Sequence, residues 1–440
     1  MTQNTKMQKR LWDLFSSLKG NVGYYNLFSN VIHLVFLKYL ISYSDRIENL
    51  DLESFKAISA FKRKYDAARS GIEPLHPEDV RDLFTVLESA DILGNLNLSD
   101  SFRTYDSLFA DPISQRAIIR ILDEFDVEYN SDYLGDLFEF LIQQCSRDVS
   151  MTGESVTNKS LRQLTSRLLD VKKTDTLLNC FSGFSSLLLD IKGFARYIGY
   201  EKNQRSFLIS KMMMMLLGVS GEGVFNQDFL LADTHECAEK VFSDGPINMR
   251  LDLVMANAPF VKEIDADAST RDGNLLILYK VLDSIKEGGT AVIAVPAKVL
   301  FSNNASYERL RKTYVENGLK AVVALPPLWS GTSINTNILV VKKGYKGLVE
   351  FVDAQKIGLC DKQKRYTLSE EDINRIIESI NKNLDVDSFS KAVDYRDVIV
   401  RESWHPGKYI ETSIKVNVKN LDDIDSELNS LYEELKNNLK

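Results

Sequence analysis

Leu251-Asp252-Leu253-Val254-Met255-Ala256-Asn257-Ala258-Pro259-Phe260 is an apolar run that ends abruptly in Asn-Ala-Pro-Phe. It reads as a strand, and the same texture recurs at 176–180, 195–200, 291–295, 319–325 and 338–341. Helical segments at 205–217, 275–286 and 307–316 separate these runs, which is the alternation of a doubly wound α/β sheet. The Gly288-Gly289 pair is expected to end the second of those helices, where a left-handed backbone is useful. Ligands of open α/β sheets bind beyond the carboxyl ends of the strands, so Asn257 to Phe260 stand where a substrate should stand. The Asn257 amide and the Ala258 carbonyl can hold the two hydrogens of an exocyclic amine, and Phe260 offers a face for a planar base. The bland alternative is a strand-to-loop turn in which Asn and Pro merely break the strand.

A second signal lies upstream, in Thr176-Leu-Leu-Asn179-Cys-Phe-Ser-Gly183-Phe-Ser-Ser-Leu-Leu-Leu189: a strand, a loop containing one glycine, and a helical continuation. In nucleotide-binding α/β domains a glycine in the first loop lets the backbone approach the ligand. Glu201 follows the next strand, 18 residues after Gly183, about where an acid reaches the hydroxyls of a ribose. Asp228, in Phe225-Asn226-Gln227-Asp228-Phe229, could meet an adenine amine, and a simple turn acid is the alternative.

The first half of the chain differs in kind. Leu11, Leu14, Phe15 and Leu18, then Leu27, Val31, Leu34 and Leu37, and later Leu134, Leu137, Phe138 and Leu141 recur at helical spacing. With 440 residues, two to three domains are expected: a helical one over 1–150, an α/β one over 151–350, and a C-terminal segment over 351–440. In the last, Leu421, Ile424, Leu428, Leu431, Leu435 and Leu439 form a short seam suited either to docking on its own domain or to a partner helix. The charge balance is −8, so contact with nucleic acid requires a local patch or a partner. The apolar stretch 27–41 is too short and too polar to span a bilayer, and the opening lacks the pattern of a signal peptide. Four scattered cysteines and four scattered histidines argue for a cytoplasmic location without a disulfide framework or a metal site.

Taken in order, these elements resemble the methylation (M) subunit of type I restriction-modification systems, an N6-adenine DNA methyltransferase using S-adenosylmethionine. The resemblance also rests on Leu11-Trp12 to Lys38-Tyr39-Leu40, on 134–141, on Val295-Pro296 with Val299-Leu300-Phe301, on Leu325-Pro326-Pro327 and Asn335-Thr336-Asn337, and on Ser403-Trp404-His405-Pro406-Gly407-Lys408-Tyr409-Ile410. It implies a helical N-terminal domain, a Rossmann-like methyltransferase domain and a C-terminal docking helix. It implies that Asn257, Ala258, Pro259 and Phe260 hold a flipped adenine. Asn179, Gly183, Glu201 and Asp228 would position the cofactor, with Thr157 at its methionine end. DNA, a specificity (S) subunit, a second M subunit and a restriction (R) subunit are the partners it implies.

The chain departs from the family's pattern at the cofactor loops. Where the family has Asp-Pro-x-x-Gly-Ser/Thr-Gly-Gly, this chain has Asn179-Cys180-Phe181-Ser182-Gly183-Phe184-Ser185-Ser186. Each of the last two serines puts a side chain where a glycine allows positive φ or close approach, at a cost on the order of 1 kcal/mol. The family's Phe-Tyr-Thr-Pro is replaced by Ser155-Val156-Thr157-Asn158, although Gly153-Glu154 remains. Two readings follow: an active adenine methyltransferase, or a methyltransferase-like chain that has lost catalysis and serves as a DNA-clamping or assembly scaffold. Cofactor binding separates them.

Overall fold

The computed structural model describes residues 24–44, 50–89, 157–219, 223–232, 251–257, 272–328, 335–361, 366–401 and 403–410, with isolated positions between 115 and 140. The expected helix around Leu11 to Leu18, the loop 153–156 and the terminal seam 421–439 lie outside these residues, as do Ala258, Pro259 and Phe260.

Among the described residues the N-terminal part is helical: α1 (Tyr24–Tyr43), α2 (Leu52–Arg69) and α3 (Pro77–Ser89). A further helix, α4 (Lys159–Leu169), leads into the alternating region. There β1 (Thr176–Asn179), β2 (Arg196–Tyr200), α5 (Gln204–Leu216), β3 (Val224–Phe225), β4 (Leu251–Asn257), α6 (Gly273–Ser284) and β5 (Ile285–Pro296) follow one another. Next come α7 (Lys298–Phe301), α8 (Ala305–Asn317), β6 (Leu319–Ala324), β7 (Thr336–Lys342) and β8 (Leu348–Asp353). A small hairpin of β9 (Leu359–Cys360) and β10 (Tyr366–Thr367) precedes α9 (Glu370–Lys382), β11 (Ser390–Asp394) and α10 (Tyr395–Ile399). No described helix is long and apolar enough to cross a membrane.

Nine strands form one sheet in the order β11-β8-β6-β7-β5-β4-β1-β2-β3. Strand β7 runs antiparallel to both β5 and β6, β11 runs antiparallel to β8, and the remaining neighbours are parallel. The doubly wound sheet expected from the apolar runs is therefore present. It also extends past residue 350 through β8 and β11.

Successive residues along the strands enter two different cores. Leu177, Leu253, Met255, Val292 and Val340 face one, with α1, α5 and α9 packed on it. Leu178, Val254, Ile293, Leu339 and Val341 face the other, with residues of α6 and α8 and with Trp404 of the tail. Burial on both faces is why these strands read as continuous apolar runs rather than as alternating ones. The buried part of α1, from Ile32 to Ile41, shares the first core with Leu208 and Met212 of α5, so the helical region and the sheet are packed as one body on that side.

The glycine pair at 288–289 does not end a helix, as the sequence led us to expect. Helix α6 stops at Ser284 and the pair lies inside β5, where Gly288 takes φ +76°. The register slips there, with Leu251 opposite Ile285 and Leu253 opposite Thr290. A Cβ on Gly289 would come within 2.8 Å of the Asp252 carbonyl oxygen, so the pair serves a bulge at the point of closest strand approach.

Strand β8 contains an ionisable group on the sheet interior. Glu350 is fully buried between Ala321 of β6 and Ala392 of β11, and neither carboxyl oxygen has a hydrogen-bond partner among the described residues. Burial pushes its pKa up to about 8; Asp385 adds to the rise, while Ser390 and Lys391 draw it down by less. The folded chain thus keeps a proton that the unfolded chain releases near 4.5. Stability on this account is greatest below that value and falls as pH rises toward 8. Glu350→Gln should therefore gain on wild type between pH 5 and pH 8, by about 3 °C or more in Tm. Thermal melts across that range check it, and a Tm difference independent of pH would rule the linkage out.

Candidate functional site

Strands β1 and β4 lie side by side with Asn179 opposite Met255, so the loops leaving their carboxyl ends share one mouth. Asn257 is the last residue of β4. Its Nδ2 donates to Thr157 Oγ1 at 2.9 Å, and its Oδ1 is buried without a hydrogen-bond partner among the described residues. An orphaned buried amide oxygen is costly unless a ligand supplies the missing donor.

Thr157 is held from behind. Asn158 caps α4 by accepting from the Ser160 N–H at 2.9 Å, which fixes where the helix begins. From the first turn of α4, Arg162 donates through Nη1 to the Thr157 carbonyl at 3.0 Å and through Nε to Asp190 Oδ2 at 2.7 Å. The guanidinium is 1% exposed, so this ion pair ties the start of α4 to the segment just after the β1 loop.

The β1 loop is built from hydrogen bonds to its neighbours. Cys180 N–H donates to the Met255 carbonyl at 3.0 Å, and Ser182 N–H donates to the Tyr200 carbonyl at 2.8 Å. Gly183, at φ +52°, donates its N–H to Glu201 Oε2 at 3.0 Å. The other oxygen of Glu201 accepts from Asn203 N–H at 2.7 Å, and Asn203 itself caps α5. The two serines in place of glycines have different fates. Ser185 sits at φ +54°, in the region that disfavours a side chain, whereas Ser186 opens a short 3-10 helix over Ser186–Leu189. The conformational cost expected of both falls on Ser185.

Asp228 stands in the turn after β3. Its Oδ1 accepts from Leu230 N–H at 3.0 Å, and its carbonyl accepts from the N–H groups of Leu231 and Ala232, so the turn-acid alternative describes its local geometry. Its neighbour Asn226, which sequence reading did not single out, donates to the Glu201 and Lys202 carbonyls at 2.9 and 3.2 Å. Phe229 meets Phe181 edge to face at 5.6 Å and so connects this turn to the β1 loop.

Together these elements border a small, partly open cleft. Thr157, Asn179 and Asn257 line it with Phe181, Ser182 and Met255, while Gly183, Glu201 and Asp228 lie outside its lining. No described lining residue is ionisable. The cleft thus presents one unpaired acceptor among apolar and neutral polar surfaces, an arrangement suited to orienting a neutral N–H donor. Phe181 and Arg162 escaped the sequence reading. Phe181 lay within a quoted motif, but nothing in the local pattern of Arg162 distinguishes it from a surface helix arginine.

The N-6 DNA methylase family model matches residues 129–416. The type I restriction enzyme MpnII methylase subunit of Mycoplasma pneumoniae is 25% identical, over 99% of this chain and 96% of its own length. The MjaVIII methylase subunit of Methanocaldococcus jannaschii is also 25% identical, over 70% of this chain and 58% of its own. Among solved structures, the type I restriction-modification methyltransferase subunit of Streptococcus thermophilus superposes with a TM-score of 0.75 at 21% identity, covering 93% of this chain and all of that one. A chain from a type I system, solved for its complex assembly and conformational transition, gives 0.67 at 15% identity, covering 100% and 98%. Those structures share the fold of the sheet and helices described above. With the family match spanning well over half of its length, the chain belongs to the N-6 DNA methylase family.

Proposed function

We propose that this chain is the M subunit of a type I restriction-modification system and transfers a methyl group from S-adenosylmethionine to the exocyclic amine of adenine in DNA. The observation that carries this reading is the buried, unpartnered Oδ1 of Asn257 at the carboxyl end of β4, with the amide nitrogen already engaged by Thr157. That division leaves the acceptor end of the amide for a base amine. The N-6 DNA methylase family supplies the substrate class, and the relatives' names supply the type I methylase-subunit role.

The residues present fit the cofactor. Asn179 at the end of β1, Glu201 after β2 and Asp228 after β3 occupy the carboxyl ends of three neighbouring strands, where α/β sheets take nucleotides. Gly183 offers a loop backbone without a side chain, and the Glu201 carboxylate is chemically matched to the ribose hydroxyls. Thr157 joins the methionine end of the site to Asn257. When bound, S-adenosylmethionine supplies an electrophilic methyl group. By the family's motif, Asn257 Oδ1 would accept one amine hydrogen, the Ala258 carbonyl would accept the other and Phe260 would stack on the ring, with Pro259 completing the motif. With no ionisable group in the described lining, the chain's contribution is to align the amine nitrogen and keep it dry.

Sequence recognition belongs, on this reading, to an S subunit, with a second M subunit and an R subunit completing the assembly. The acidic balance of the chain agrees with DNA affinity being shared with partners. The scaffold reading has less support, because the β1 loop remains tied to Glu201 through Gly183.

Calorimetric titration of the full chain with S-adenosylmethionine should give micromolar binding, weakened about tenfold or more by Glu201→Ala. Absence of binding, with and without an S subunit, would overturn the reading. In a methyl-transfer assay on DNA with that partner, Asn257→Ala should lower kcat by about a hundredfold or more while the melting temperature stays near wild type. Thr157→Val removes the brace on Asn257 together with the hydroxyl at the methionine end of the site and should cost about tenfold in kcat; wild-type rates in both variants would remove Asn257 from the reaction.

A further inference from the structure

Beneath the β1 loop, four buried polar groups from separate parts of the chain meet in one line. Asn179 Nδ2 donates to the Tyr197 hydroxyl at 3.1 Å, that hydroxyl lies 3.2 Å from Ser185 Oγ, and Ser185 Oγ is hydrogen-bonded to Ser210 Oγ of α5. All four residues are at most 5% exposed.

The first bond of this line has a fixed direction. Asn179 Oδ1 accepts from the Phe181 backbone N–H at 3.3 Å, a group that can only donate, so the amide nitrogen faces Tyr197. The Tyr197 oxygen then accepts from Asn179; in its pair with Ser185, and in the Ser185–Ser210 pair, either oxygen can donate, and Tyr197 has a single hydrogen to give. Burial raises the Tyr197 pKa to about 12, so that hydrogen is retained at neutral pH. The residue so gripped, Ser185, is also the one loop residue without glycine's freedom at φ +54°. Its backbone N–H closes the turn onto the Ser182 carbonyl at 2.7 Å, and that turn contains Gly183, bonded to Glu201.

We propose that Tyr197 is a positioning residue of the cofactor site: its hydroxyl, set between Asn179 and Ser185, clamps the β1 loop in a left-handed turn that glycine would adopt unaided. This inference rests on the proposed reading that the loop binds S-adenosylmethionine. It gives Asn179 and Ser185 one shared function, since both hydrogen-bond the Tyr197 hydroxyl.

The test uses Tyr197→Phe, Ser185→Gly and their combination in the full chain, read by S-adenosylmethionine titration and by hydrogen exchange at the amides of Ser182, Gly183 and Ser185. Tyr197→Phe should weaken binding about tenfold and speed exchange at those amides. Adding Ser185→Gly should recover most of both losses, because glycine holds the turn without an anchor. A residue with a merely structural role would lower the melting temperature of Tyr197→Phe without moving affinity, or would leave the double variant as weak as the single; either result overturns the clamp. Should Tyr197→Phe fail to fold, Ser210→Ala, removing the far end of the line, is expected to show the same loss and the same rescue, and its absence would also overturn the clamp. If wild type binds no S-adenosylmethionine, the functional reading falls, and exchange in the free protein decides the clamp alone: faster in the single variant and restored in the double upholds it, unchanged exchange rejects it.

Discussion

Parallel strands cannot be joined by a tight turn; each must be followed by a crossover before the next strand begins. In this sheet the neighbours β1 and β4 send their crossovers in opposite directions, toward β2 on one side and β5 on the other. The space between their carboxyl ends is left open by that divergence. Everything placed in the candidate site depends on it, because Asn179 and Asn257 each end one of the two strands, and the Cys180 N–H bond to the Met255 carbonyl carries the pairing one residue into the loop. A strand order without that reversal would bury both asparagines under helices.

Around this opening the chain uses buried polar contacts rather than charge. The Glu201 carboxylate on the Gly183 N–H and the Arg162–Asp190 pair are charged, and neither belongs to the cleft lining: the Arg162 guanidinium holds the Thr157 carbonyl. Breaking a buried pair by removing one partner typically costs about 3–5 kcal/mol, since the survivor is left as an unpaired charge. The pair therefore gives α4 and the β1 loop a shared, rigid reference. Thr157 transmits it to Asn257 by one hydrogen bond, which is how a residue 100 positions away comes to brace the end of β4.

The strands that were legible in sequence, β1, β2 and β4 to β7, each carry an apolar run whose residues enter both cores. The strands that escaped were β3, β9 and β10, with two residues each, β8, interrupted by Glu350, and β11, whose Ser390-Lys391-Ala392-Val393-Asp394 sits at the sheet edge and needs no apolar run. The Gly288-Gly289 pair was visible as a break, but a helix end and a bulge use the same residue type, and only the register against β4 distinguishes them.

The site divides in the same way. Asn257 and Glu201 could be found because each follows a strand that local pattern reveals, and the order of motifs along the chain is enough to identify the family. The two serines of the β1 loop looked equivalent, yet only Ser185 takes the left-handed conformation, because backbone φ depends on where the following 3-10 helix begins. The pairing of Arg162 with Asp190, of Thr157 with Asn257, and of Asn179 with Tyr197 was decided by tertiary structure alone. Sequence pattern records how each element buries its own side chains, a property of neighbours a few residues apart. Which distant polar groups meet depends on strand order and register, and those are settled only when the whole sheet assembles.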